Sequence, residues 1–183
     1  AARTFVVASG NNQTGQATSP LASPLVVAAR DTFGNGVPGV AVTFSVTAGG
    51  GSLSPASATT GSAGTASATF TLGPTVGTHT AQAAAGTLGT VSFTATATSG
   101  PPAAMTKVSG DAQTRTVGDT VTVTVEVVDA SGNKVPNAPV TFSVASGGGS
   151  VVAPAPVESP LGASSGSSFT NAQGRATARW TLG

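Results

Sequence analysis

The sequence predicts an all-β protein made of two antiparallel β-sandwiches in tandem, and three observations lead there. Apolar residues alternate with hydroxyl residues at period two, the signature of half-buried strands. Clusters of Gly, Pro, Asn and Ser interrupt the alternation at short, regular spacing. A unit of roughly 100 residues then occurs twice, a period that must be found before any fold is assigned.

Composition agrees. Ala, Thr, Gly, Val and Ser make up most of the 183 residues, and charged residues are only 7%. Thr and Val favour strands, and the usual helix formers Leu, Glu and Lys are scarce. The chain has no Cys, which excludes a disulfide scaffold, a thiol enzyme and a cysteine zinc site. Net charge is +1. Arg3, Arg30, Lys107, Arg115, Lys134, Arg175 and Arg179 form no run, and no stacking aromatics accompany them, so no nucleic-acid partner is expected. Apolar runs such as Leu25–Ala29 fall far short of the ~20 residues of a spanning helix, so no membrane insertion is expected. Residues 1–10 lack a charged and then apolar leader, as a processed secreted chain also would.

The repeat is direct. Asp31-Thr-Phe-Gly-Asn-Gly-Val-Pro-Gly-Val-Ala-Val-Thr-Phe-Ser-Val46 returns as Asp129-Ala-Ser-Gly-Asn-Lys-Val-Pro-Asn-Ala-Pro-Val-Thr-Phe-Ser-Val144, 98 residues on. Gly49-Gly-Gly-Ser52 returns as Gly147-Gly-Gly-Ser150 at the same offset. Ala68-Thr-Phe-Thr-Leu-Gly73 matches Ala178-Arg-Trp-Thr-Leu-Gly183 at an offset of 110, so 12 residues are inserted between. The Pro-, Ser- and Gly-rich stretch at about 153–168 is where they fit, as an inserted loop. This divides the chain into a first sandwich over 1–99, a short Pro-rich linker over 100–103 and a second sandwich over 104–183.

Within the units, parity assigns the faces. Val42, Phe44, Phe70, Leu72 and Phe93 are expected in the first core, and Val123, Val125, Phe142, Val144 and Trp180 in the second. Phe142→Ala is accordingly expected to cost ~3–5 kcal/mol. About seven strands per unit are expected. In the repeated motif, Asp31 and Asp129 are expected to cap a turn with their carboxylates, Gly34-Asn35 and Gly132-Asn133 to take positive φ, and Pro38 and Pro136 to start the next strand.

The string Asp-x-x-Gly-Asn-x-Val-Pro-x-x-x-Val-Thr-Phe-x-Val, followed by Gly-Gly-Gly-Ser, resembles the bacterial immunoglobulin-like tandem repeats of the invasin and intimin group. The closing Gly-x-Ala-x-Ala-x-(Phe/Trp)-Thr-Leu-Gly of both units belongs to that pattern, and Gly77-Thr-His-Thr-Ala-Gln-Ala83 is similar to its next-to-last strand. The resemblance implies tandem immunoglobulin-like sandwiches in an exported bacterial surface protein, acting as a stalk or spacer and bringing no catalytic residues. Implied partners are neighbouring repeats, other copies or a larger complex. Unit one continues past Gly73 through Pro74–Ser99, two strands' worth, and unit two has no such counterpart. Either the natural chain continues, or a neighbouring chain supplies the strands and builds a filament. An adhesive role would draw on the inserted loop at 153–168, and an accessory subunit docked on a larger complex is a third alternative.

No residue is assigned to catalysis, to a cofactor or to a metal. His79 is the single histidine, its parity turns it inward, and no nucleophile elbow accompanies it. Asp111, Asp119, Glu126, Asp129 and Glu158 lack calcium-loop spacing and are expected as solvated carboxylates. The glycine triplets precede strands and not helices, so they are turns and not phosphate loops. Trp180 takes the Phe70 position, in the core. Asn12-Gln-Thr14 fits a glycosylation sequon, and the stretch 153–168 has the composition of an O-glycosylated loop, so glycan attachment is carried as an alternative to plain surface loops.

Overall fold

Fifteen strands and one 3-10 turn, Gly86–Leu88, form the regular structure of residues 1–153 and 164–183, the part described by the computed structural model. The chain divides into two units, Ala1–Ser99 and Gly100–Gly183.

The first unit holds β1 (Thr4–Ser9), β2 (Gln13–Gln16), β3 (Leu25–Arg30), β4 (Ala41–Ala48), β5 (Gly51–Ser54), β6 (Ser57–Thr59), β7 (Thr65–Leu72), β8 (Gly77–Ala84) and β9 (Thr90–Thr98). That is nine strands, more than periodicity alone predicts, because β2, β5 and β6 are too short to show alternation. One sheet runs β1-β3-β7-β5 and the other β2-β9-β8-β4-β6. Alternation works as expected: Val42, Phe44, Phe70, Leu72 and Phe93 are all buried, with Ala66, Ala68, Ala81, Ala83, Ala95 and Ala97 filling the space between them. Each fully buried Val, Leu or Phe side chain contributes roughly 1.5–3 kcal/mol.

One pair departs from the antiparallel expectation. β2 lies parallel to β9, from Gln13 opposite Ala95 to Gln16 opposite Thr98. The Asn11 Oδ1 accepts the Thr94 N–H at 2.8 Å, and Asn12, at φ 57°, donates its N–H to the Thr94 carbonyl at 2.8 Å. These contacts turn the chain so that it joins β9 going the same way.

The second unit holds β10 (Ala104–Ser109), β11 (Thr120–Val128), β12 (Pro139–Ser143), β13 (Gly149–Val152), β14 (Ser165–Phe169) and β15 (Arg175–Leu182). Its sheets are β10-β11-β15-β13 and β12-β14. The first sheet reproduces that of unit one. The second lacks, among the described residues, any counterpart of β8 and β9. Two consequences are visible. β12 ends at Ser143, whereas β4 runs to Ala48, which matches Ser146. Gln113-Thr114, which match Gln13-Thr14 of β2, are not strand, and among the described residues no counterpart of β9 lies beside them.

The expected second core needs correcting. Val125 is buried, but Val123, Phe142, Val144 and Trp180 are only half-buried, because among the described residues no strand lies beside β12 where β8 lies beside β4. The closed part of this core is instead Val125, Val127, Val135, Ala138, Val140 and Ala176. The inserted loop is also shorter than expected at its C-terminal end. Ser165–Ser168 belong to β14, paired with β12 from Pro139 opposite Phe169 to Ser143 opposite Ser165. Residues 154–163, the middle of that loop and the site of Glu158, lie outside the described residues.

Candidate functional site

The repeated motif builds the same device twice. In unit one, Asp31 Oδ1 accepts the N–H groups of Phe33 and Asn35, both at 2.9 Å, and Oδ2 accepts Asn35 Nδ2. In unit two, Asp129 Oδ1 accepts Ser131 and Asn133 N–H, and Oδ2 accepts Asn133 Nδ2 and Gly100 N–H, all at 2.9 Å. The carboxylates cap their turns as expected. Positive φ, however, falls on Gly34 and Gly132 alone, not on the asparagines, which serve as side-chain donors.

Pro38 and Pro136 do not start strands. They sit in a second turn whose next residue is left-handed, Gly39 at φ 80° and Asn137 at φ 58°. Proline followed by Gly or Asn at positive φ is the type II pattern. The strands begin further on, at Ala41 and Pro139. A threonine closes this turn, and sequence reasoning missed it. Thr60, 3% exposed, donates its hydroxyl to the Val37 carbonyl at 2.7 Å and accepts the Val40 N–H at 2.9 Å. Thr170, 2% exposed, does the same with the Val135 carbonyl at 2.6 Å and the Ala138 N–H at 2.8 Å. Their shared offset of 110 is the only signal the sequence carried.

The acidic residues are not one class. Asp129 is buried to 5% exposure, which corrects the expectation of a solvated carboxylate. Burial pushes its carboxyl up, but hydrogen bonds from Asn133, Gly100 and Ser131 outweigh that and hold it below the usual range. Asp31 is held low chiefly by the Asn35 side chain, Glu126 by Lys134 with help from Arg175, and Asp111 by Lys107. Glu126 pairs with Lys134 and, at 3.3 Å, with Arg175 on the outer face of the sheet. Among the described residues, no three His, Asp or Glu side chains group closely enough to hold a metal ion.

Asp129 makes a pH prediction. Its folded pKa lies below the ~3.9 of an unfolded aspartate, so its contribution is complete above that value and fades as pH falls through the folded pKa. Denaturation of the second unit, followed by emission of the single tryptophan between about pH 6 and pH 2, should show this loss. Asp129→Asn should lower the midpoint at neutral pH and flatten its acid dependence. An unchanged slope would contradict the assignment.

His79 turns inward as its parity predicts and is 1% exposed. Its Nε2 lies 2.9 Å from the Thr75 carbonyl, its Nδ1 3.4 Å from the Gly73 nitrogen, and its ring meets Phe70 edge-on at 6.4 Å. It is a core member, built into the strand that covers Phe70.

The remaining feature is an apolar groove of about 300 Å³ in unit two. Val123, Phe142, Val144, Val151, Ala178 and Trp180 line it. Trp180 opposes Val151 as Phe70 opposes Leu53, so it does occupy the Phe70 position, but on an open face. Its Nε1 is buried with no hydrogen-bond partner among the described residues.

No protein-family model matches the chain, and no curated protein matches it in sequence. Solved structures do match. The Escherichia coli adhesin FdeC is 23% identical, with a TM-score of 0.56 over 98% of this chain and 55% of that one. The Yersinia pseudotuberculosis adhesin InvE is 26% identical, with a TM-score of 0.46 over 98% of this chain and 51% of that one. Invasin, a bacterial integrin-binding protein, is 18% identical, with a TM-score of 0.44 over 98% of this chain and 34% of that one. The chain thus spans about half the length of the FdeC and InvE structures it matches. Two sandwiches, each carrying the same Asp-capped turn, have the fold of the bacterial immunoglobulin-like adhesin domains that the repeated motif resembles.

Proposed function

We propose that this chain is a non-enzymatic structural module, a spacer within an exported bacterial surface protein. One observation supports this above the others: a repeated unit builds the same pair of turns twice, and its Asp and Thr side chains are engaged in holding them. A surface with few charges, carrying seven Lys and Arg in 183 residues, also offers little to proteases that cleave at basic residues. The test is replacement of residues 1–183, within a surface-displayed protein, by an unrelated two-sandwich spacer of equal length. Attachment and assembly should be retained. Their loss would overturn the spacer reading in favour of a recognition surface.

A second reading has its own support. The groove beside β12 fits two further strands, supplied by continuation of the chain or by a neighbouring chain, and the second source would link copies or dock the module on a larger assembly.

A further inference from the structure

We propose that Asp129 is a clamp: its carboxylate straps residues 100–103 onto the second unit and shortens the free chain between the two units to one residue, Ser99. This deepens the spacer reading and rests on it, since the reach of a spacer is set by its joints.

The backbone donors carry the argument. Residues 100–103 are Gly-Pro-Pro-Ala, and proline has no N–H, so the segment has two N–H groups, those of Gly100 and Ala103. Both are spent on the second unit. Gly100 donates to Asp129 Oδ2 at 2.9 Å, and Ala103 donates to the Val128 carbonyl at 2.8 Å. Between them, Pro101 and Pro102 hold φ at about −65°. On the other side, the Thr98 carbonyl accepts the Ala17 N–H at 2.8 Å, inside the first unit. Ser99 is the one residue between the two fastenings.

The Gly100 bond is more than the turn requires. Asp31 caps the same turn with the Phe33 and Asn35 N–H groups and Asn35 Nδ2. Asp129 makes the three matching bonds and adds the fourth to Gly100. At 5% exposure its oxygens meet little competition from water, which strengthens the bond. Hydrogen bonds, and no cation, keep this carboxylate ionised. Lys134, which follows Asn133, and Arg175 both pair with Glu126. Without the clamp, Ser99 to Pro102 would all be free, and the joint would gain the wide backbone freedom of Gly100.

The test is nuclear magnetic resonance on the full chain. In the parent, backbone relaxation should show Gly100 and Ala103 as rigid as the strands, with Ser99 the one mobile position between the units. The Gly100 amide should exchange about tenfold or more slowly than an unprotected glycine. Gly100→Pro removes the donor and leaves the turn, so the Asp129 carboxyl carbon should titrate at higher pH than in the parent. Gly100→Ala keeps the donor, and its methyl group would lie 3.7 Å from Asp129 Oδ2, an ordinary contact, so it should titrate as the parent does. Asp129→Ala should make Gly100 as mobile as Ser99, whereas Asp31→Ala should leave both unchanged. A Gly100 as mobile as Ser99 in the parent, or an Asp129 titration that Gly100→Pro leaves in place, would overturn the clamp. Should Asp129→Ala prevent the second unit from folding, the two Gly100 variants still decide. These readouts do not depend on what the module does at a cell surface, so loss of the clamp would leave the spacer reading standing.

Discussion

Phe44→Ala is expected to destabilise the first unit by about 3–5 kcal/mol, and Phe142→Ala, its repeat counterpart, to destabilise the second by only about 1–2 kcal/mol. The two residues hold the same place in the motif and face the same way along their strands. Phe44 is 3% exposed and packs between two complete sheets. Removing its ring forfeits the transfer energy and leaves a cavity that the surrounding Ala and Phe side chains cannot collapse to fill. Phe142 already borders a groove, so truncation there enlarges an open surface and creates no sealed void. Far-UV circular dichroism would follow both units, and Trp180 emission would isolate the second. Equal losses at the two sites would mean that the Phe142 face is closed. The expectation of ~3–5 kcal/mol at Phe142, drawn from parity alone, is revised by this difference in cover.

Thr60→Val should cost the first unit about 2–4 kcal/mol despite conserving shape. The hydroxyl serves two backbone groups at once, the Val37 carbonyl and the Val40 N–H. Valine satisfies neither, and each group left buried without a partner costs ~1–3 kcal/mol. Thr60→Ser keeps the hydroxyl and loses one methyl, so about 1 kcal/mol is expected. Thr170→Val should repeat the result in the second unit, where Val135 and Ala138 are the partners. The order Val worse than Ser is the diagnostic, since a purely apolar site would give the reverse. Denaturant midpoints of the three variants against the parent chain would decide it.

The fold was legible because its strongest signals are local. Val42-Thr-Phe44 and Ala68-Thr-Phe-Thr-Leu72 carry their parity within a few residues, and parity is all that a strand needs to choose its faces. The Asp turns were legible for the same reason, since an aspartate reaches its own backbone two and four residues on. Pro38 was misplaced because a proline suits both a strand start and a type II turn, and the choice rests on Gly39 being left-handed. Thr60 and Thr170 were invisible among twenty-nine threonines. Nothing in the local sequence separates the two that reach across to a turn some 20 to 35 residues away from those that face solvent.

By itself the sequence determined where the longer strands run, which side chains turn inward, where aspartate caps a turn and that the unit occurs twice. These depend on backbone alternation and short-range hydrogen bonding, which act over a few residues. Tertiary structure alone decided which inward residues are buried. Phe70 and Trp180 occupy one repeat position, yet β8 with His79 covers the first, and among the described residues no strand covers the second. Parity aims a side chain, but only a facing sheet removes it from water, and that sheet comes from distant strands.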